Sequence, residues 1–324
     1  MQDLRLLRSV IIRGIREYFH SHGFIETDTP SLVFSPGMEP HVRPLKIEGS
    51  QAYLPTSPEF AMKQLLAQGY EKIFQICKAY RCEPKSDTHN PEFSILEWYR
   101  GHSNFEEIMN DVEGLFEHLC KTVYGDNRFE SAHSGPQNLN RPWIRLSIEE
   151  CFATFAKTDL IQMLPSPKAS TREREKFNDE FFLIFLNKIE PELKRLGRPV
   201  VVHSYPETQA ALSNLSVDSR GLRWAKRFEV YAGGLELGNA FDELVDPVEQ
   251  KHRFDLDMAL RSEIYGSSFP VNPIDEDFLN ALAKMPPSGG IAMGVDRIVM
   301  YFTGVSKISE ILWLPSQSLN TSQK

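Results

Sequence analysis

Leu4, Leu7, Ile11, Ile15 and Tyr18 recur at helical spacing with arginines between them, which predicts an amphipathic helix over residues 4–22. Gly23 is a natural stop, and a short strand follows from Phe24 to Asp28, ended by Thr29-Pro30. Ser57-Pro58-Glu59 opens a second helix, with Ser57 as cap and Pro58 in the first turn, running to about Gln68. Two strands, Lys72 to Glu83 and Glu92 to Arg100, form a long hairpin around a polar tip, Pro84 to Pro91. Ser103 and Glu106 read as a capping box before a helix carrying Ile108, Val112, Leu115 and Leu119. Residues 125–142 are polar and irregular. Ser147 caps a further helix, residues 171–195 are helical, and Val200 to His203 is a short strand. Arg227 to Asn239 forms a tight hairpin, and Asp246-Pro247 starts a charged helix reaching about Tyr265. A glycine-rich strand, Gly289 to Gly294, leads into a helix near Val295. Hairpins among helices predict an α+β fold, a mostly antiparallel sheet flanked by helices.

Composition narrows the function classes. The chain has 324 residues, 41% hydrophobic and 25% charged, with a net charge of −8. That balance suits a soluble domain and counts against extensive nucleic-acid binding. Cys77, Cys82, Cys120 and Cys151 form no CxxC pair, so reduced thiols in a cytoplasmic protein are expected. No stretch approaches the roughly 18 apolar residues of a membrane helix.

Three segments carry candidate chemistry. If Ala232-Gly233 is the turn of the second hairpin, Glu229 lies opposite Glu236. Facing carboxylates repel unless a cation such as magnesium joins them or both point to solvent. In the first hairpin Arg81 and Glu83 share a strand face, as do Glu97 and Tyr99. There Arg81 is either an anion clamp or an ion-paired surface residue, and Phe93 either a stacking platform for a purine or a core side chain. In Gly289-Gly290-Ile291-Ala292-Met293-Gly294, small residues leave one strand face nearly bare, and Arg297 follows on a helix.

Taken in order, these segments resemble the three motifs of class II aminoacyl-tRNA synthetases: about 4–30, about 72–100 and about 289–305. The likeness to lysyl-tRNA synthetase is close in Thr88-His89-Asn90-Pro91-Glu92-Phe93, Arg227-Phe228-Glu229, Glu236-Leu237-Gly238-Asn239 and Phe241-Asp242-Glu243-Leu244. It is closer still to the elongation factor P–lysine ligase family, paralogues without the anticodon-binding domain. Thr56-Ser57-Pro58-Glu59, Leu96-Glu97-Trp98-Tyr99-Arg100 and Arg227-Phe228-Glu229-Val230-Tyr231 read like that family, as does Ala292, where lysyl-tRNA synthetases have glycine. Thr88 departs from the synthetase pattern, which has arginine there. On this resemblance residues 1–324 are one catalytic domain with no anticodon-binding OB domain.

The resemblance implies ATP and Mg2+ as cofactors, lysine or (R)-β-lysine as donor, elongation factor P as acceptor and a homodimer formed through motif 1. It assigns Arg81 and Arg297 to catalysis. Arg81, Glu83, Asn90, Phe93, Glu236, Leu237, Gly294 and Arg297 are expected to bind ATP, and Glu229 and Glu236 to hold the metal. Ser57, Glu59, Tyr99, Asn239, Glu243 and Ala292 are expected to bind the donor, with Tyr99 and Glu243 receiving its side-chain ammonium. The competing functions are tRNA charging, an asparagine synthetase-like ligase, and a regulatory paralogue without chemistry. Glu59 and Glu243 oppose an acidic donor, and Arg81, Glu229, Glu236 and Arg297 together oppose the regulatory reading.

Overall fold

In the computed structural model, the structure describes residues 3–314 apart from 85, 267, 268 and 270, so both ends of the expected domain lie outside it. The strands are β1 (Ile25–Glu26), β2 (Leu45–Lys46), β3 (Tyr53–Leu54), β4 (Lys72–Tyr80), β5 (Glu92–Gly101), β6 (Arg128–Ser131), β7 (Gly135–Asn138), β8 (Ile144–Ser147), β9 (Val200–Pro206), β10 (Leu215–Val217), β11 (Arg223–Ala232), β12 (Leu235–Asp242) and β13 (Ser288–Gly294). The helices are α1 (Leu4–Ser21), α2 (Glu59–Ala67), α3 (Phe105–Tyr124), α4 (Ile148–Cys151), α5 (Leu160–Met163), α6 (Thr171–Ile184), α7 (Glu190–Arg195), α8 (Pro247–Tyr265), α9 (Glu276–Leu282) and α10 (Val295–Thr303). Nine strands among the described residues form one sheet, ordered β1-β4-β5-β13-β12-β11-β9-β8, with β10 on β11. Only β1/β4 and β8/β9 pair in parallel, so the fold is the α+β, mostly antiparallel architecture expected.

The alternation of side chains along the strands divides the sheet into two unlike faces. Phe74, Leu96, Trp98, Ile291, Met293, Ala240, Phe228 and Val230 point one way and pack under α1, α3 and α10 in one large core. On the other face the apolar cover is split. One cluster gathers Ile73 and Tyr99 with Met62, Leu66, Phe254 and Phe278 from α2, α8 and α9. A second gathers Val200, Val202 and Tyr231 with Phe181 and Phe185. Between the clusters the register aligns Gln75, Glu97, Ala292, Asn239 and Glu229 across five neighbouring strands. That polar row is the floor of a cleft.

Several local expectations need correction. The second hairpin turns on Gly233-Gly234, both at positive φ, so Ala232 pairs with Leu235 and Tyr231 with Glu236. Glu229 therefore opposes Asn239, not Glu236. A two-residue turn with both φ positive suits glycine at each position and disfavours Ala232. A bulge then sets Leu237 and Gly238 together against Val230, which brings Asn239 onto the cleft face. Strand β4 ends at Tyr80, so Arg81 and Glu83 lie beyond the ladder in extended loop rather than on a common strand face. Asn104, not Ser103, caps α3, accepting from the amides of Glu106 and Glu107. Pro58 holds the cap position of α2, while the Ser57 hydroxyl accepts from the Glu59 amide at 3.0 Å. The stretch 125–142 contains the β6–β7 hairpin.

Candidate active site

One end of the cleft is an acid pocket. Glu97 is fully buried, with Ser57 Oγ donating to its Oε1 at 2.6 Å and Tyr99 OH to its Oε2 at 2.9 Å. Burial, reinforced by the nearby Glu59, pushes its carboxyl up to about 8. Lys63 comes from α2 and is also fully buried. Its Nζ lies 2.6 Å from Glu59 Oε1 and 2.6 Å from Glu243 Oε2. Burial alone would lower the Lys63 ammonium, but Glu243 and Glu59 outweigh it and hold it near 12. Burial raises Glu243, against the pull of Lys63. Three carboxylates thus surround one internal cation, an arrangement that favours further positive charge from a ligand. Gly290 makes the closure possible, because a Cβ there would strike the Tyr99 ring and the Glu243 carboxylate. Beside this pocket Gly37, Glu39, Ser57 and Glu59 help line a partly open cavity of about 30 Å³, room for one or two water-sized groups.

The other end is cationic. The Arg81 guanidinium lies 5.2 Å over the Phe93 ring, and its buried Nε has no hydrogen-bond partner among the described residues. An orphaned guanidinium donor suits an incoming anion. Arg297, in the first turn of α10, donates to the Glu236 carbonyl at 2.7 Å and lies 3.0 Å from His89 Nε2 in the hairpin tip. Burial and Arg297 together lower the His89 pKa. Gly294 is the backbone cap of α10, and Leu237 is buried in the core behind the cleft. Asn90 donates to the Glu92 carbonyl, so the tip is folded back on itself. Cationic and acidic ends joined by a flat strand face can seat a molecule with an anionic end and ammonium groups.

The first 318 residues match the family model of class II tRNA synthetases (D, K and N). The chain belongs to that family. Similar curated proteins include elongation factor P–(R)-β-lysine ligases of Edwardsiella ictaluri, 36% identical over 95% of this chain and 93% of that protein, and of Haemophilus influenzae, 35% identical over the same shares. The one from Histophilus somni is 34% identical, again over 95% and 93%. At this similarity and coverage the chain stands among class II synthetase-like ligases and is itself a ligase. ATP use follows from that class. Among the described residues no helix is long and apolar enough to cross a membrane.

For a class II synthetase site, the fit of a divalent metal rests on Glu229 and Glu236. They share the cleft face, and desolvation there, followed by repulsion from Glu229, raises Glu236, although its side chain stays partly open to solvent. Among the described residues no three potential ligands cluster, so a protein cage is absent. A carboxylate pair still suits magnesium, which keeps waters and takes phosphate oxygens. Glu229 is the less free partner, since Arg227 and the hydroxyls of Tyr205 and Tyr231 already bind it. Arg227 also donates to Asn239 Oδ1 at 2.9 Å, which ties two expected site residues together.

The structure gathers Arg81, Phe93, Glu236 and Arg297 at one end, and Ser57, Glu59, Tyr99, Glu243 and Ala292 at the other. Sequence reasoning missed Lys63, Arg227 and the pocket role of Glu97. Glu97 carried a signal, being two residues from Tyr99 on one strand face. Lys63 also carried one, four residues after Glu59 on a helix, where an ion pair is expected.

Proposed function

We propose that this ligase activates lysine or (R)-β-lysine with ATP and transfers the acyl group to a lysine ε-amino group of elongation factor P. The observation that carries the reading is the acid pocket, in which Glu59, Glu97 and Glu243 outnumber Lys63. With all four ionised, a state Glu97 reaches only near pH 8 or when a cation enters beside it, the net charge of about −2 matches the two ammonium groups of a lysine-type donor. The curated relatives are named for this donor and acceptor.

In the first step a donor carboxylate oxygen attacks the α-phosphorus, the bond to the β-phosphate bridge breaks, and pyrophosphate leaves. In the second, the neutral acceptor amine attacks the acyl carbonyl, AMP leaves with the shared oxygen, and the amine proton passes to solvent. Arg81 and Arg297 offset charge at the phosphates while the pocket fixes the donor. Phe93 stacks on adenine once Arg81 turns to the phosphate; Glu83, Asn90 and Gly294 complete the nucleotide contacts, whereas the Leu237 side chain, expected among them, faces the core. Asn239 and Ala292 shape the floor under the donor. Glu229 and Glu236 hold Mg2+, which supplies charge neutralisation at the phosphates. The whole chain acts as one catalytic domain in the cytoplasm. Exposed Leu6, Ile25, Leu32 and Phe34 near motif 1 support a homodimer.

The test is incubation with ATP, Mg2+, elongation factor P and each lysine isomer, read by intact mass. A gain of one lysyl residue is expected, with (R)-β-lysine or lysine. Charging of bulk tRNA without modification of the factor would refute the reading.

A further inference from the structure

Glu59 and Glu243 reach the acid pocket from separate parts of the chain, the start of α2 and the segment after β12. What fixes their spacing is the single buried ammonium of Lys63, 2.6 Å from an oxygen of each. Lys63 is itself 1% exposed, so it is not a surface cation that happens to lie near. The neighbouring acids do not share this task. Glu97 is held by Ser57 and Tyr99, while Asp242 is engaged by Lys226 and Asn214.

We propose that Lys63 is a positioning residue that presets the pocket for a donor with two ammonium groups. It acts in two ways. It locks the carboxylates of Glu59 and Glu243 at a set separation before the donor arrives. It also offsets part of the negative charge of the surrounding carboxylates, leaving the remainder for the donor to neutralise. Without it the pocket would have an extra buried charge and two untethered acids. This inference rests on the lysine-type donor proposed above.

The test uses ATP–pyrophosphate exchange with wild type, Lys63→Met and Lys63→Arg. Donors are lysine, (R)-β-lysine and two single-ammonium analogues, 6-aminohexanoate and norleucine. Wild type is expected to favour the diamines strongly. For Lys63→Met the KM for diamines should rise at least ~10-fold with a much smaller change in kcat, the pattern of lost binding rather than lost chemistry. Discrimination against the single-ammonium analogues should fall by a similar factor. Lys63→Arg keeps the charge but moves it, so it should retain the melting temperature and still raise KM. That variant decides the matter if Lys63→Met does not fold. A folded variant with wild-type KM and discrimination overturns the proposal. So does a folded Lys63→Met that loses kcat equally for every donor, which marks a purely structural role. If wild type exchanges with no lysine isomer, the donor assignment itself fails, an outcome distinct from the other two.

Discussion

Replacing Glu97 with glutamine tests the electrostatics of the pocket most directly. The substitution keeps the shape and removes the ionisation. The Ser57 and Tyr99 hydroxyls that now donate to Glu97 can rotate to accept from the new amide. In the folded protein the carboxyl ionises at about 8 instead of 4.5. The folded state therefore binds this proton more tightly than the unfolded chain, and stability falls as pH rises from 4.5 through about 8. Between pH 6 and pH 9 the loss from this one group is roughly 3 kcal/mol. For a chain of this length that is about 4 °C in melting temperature. Thermal melts of wild type should show this decline, and E97Q should lack that part of it. Donor binding gives the complementary reading. At pH 7 most pockets hold Glu97 protonated, so apparent donor affinity should rise with pH in wild type until the donor itself begins to lose its ammonium protons. In E97Q it should be weaker and flatter with pH. Parallel melting curves for the two proteins from pH 6 to pH 9 would refute the assignment of a buried, proton-holding acid.

Two further substitutions test the geometry. Gly290→Ala places a methyl against Tyr99 and Glu243, so the donor KM should rise at least ~10-fold, with about 1–3 kcal/mol of lost stability; an unchanged KM in exchange assays would contradict the close approach. Arg8→Met breaks the buried 2.6 Å pair with Asp296 and, among the described residues, leaves that carboxylate with only the Ser94 amide at 2.8 Å. The loss should be about 3–5 kcal/mol, or roughly 5–7 °C by calorimetry, and nucleotide affinity should fall as well because Asp296 adjoins Arg297.

What the sequence revealed and what it concealed follows from the range of each interaction. The core face was legible because it rests on alternation within single strands, as in Leu96 and Trp98 or Ile291 and Met293. The grouping of Arg81, Phe93 and Arg297 was legible from their order along motifs whose resemblance extends over nearly the whole chain. The register of the second hairpin was misjudged, although local chemistry held the answer: a Gly-Gly turn accepts two positive φ values, and Ala232 does not. The bulge after it has no comparable signature. It depends on Leu237 entering the core beside Gly238, whose missing Cβ lets Met293 close in. That packing involves β13, more than fifty residues downstream. Lys63 was hidden for the same reason. Its pairing with Glu59 is a one-turn helix contact, but the contact that gives it meaning is with Glu243, brought in by the sheet. A lysine alone on an apolar helix face suggests a side chain extending to solvent. Only the folded register shows that it ends between two acids, so the charge balance of the pocket belongs to the tertiary structure rather than to any one motif.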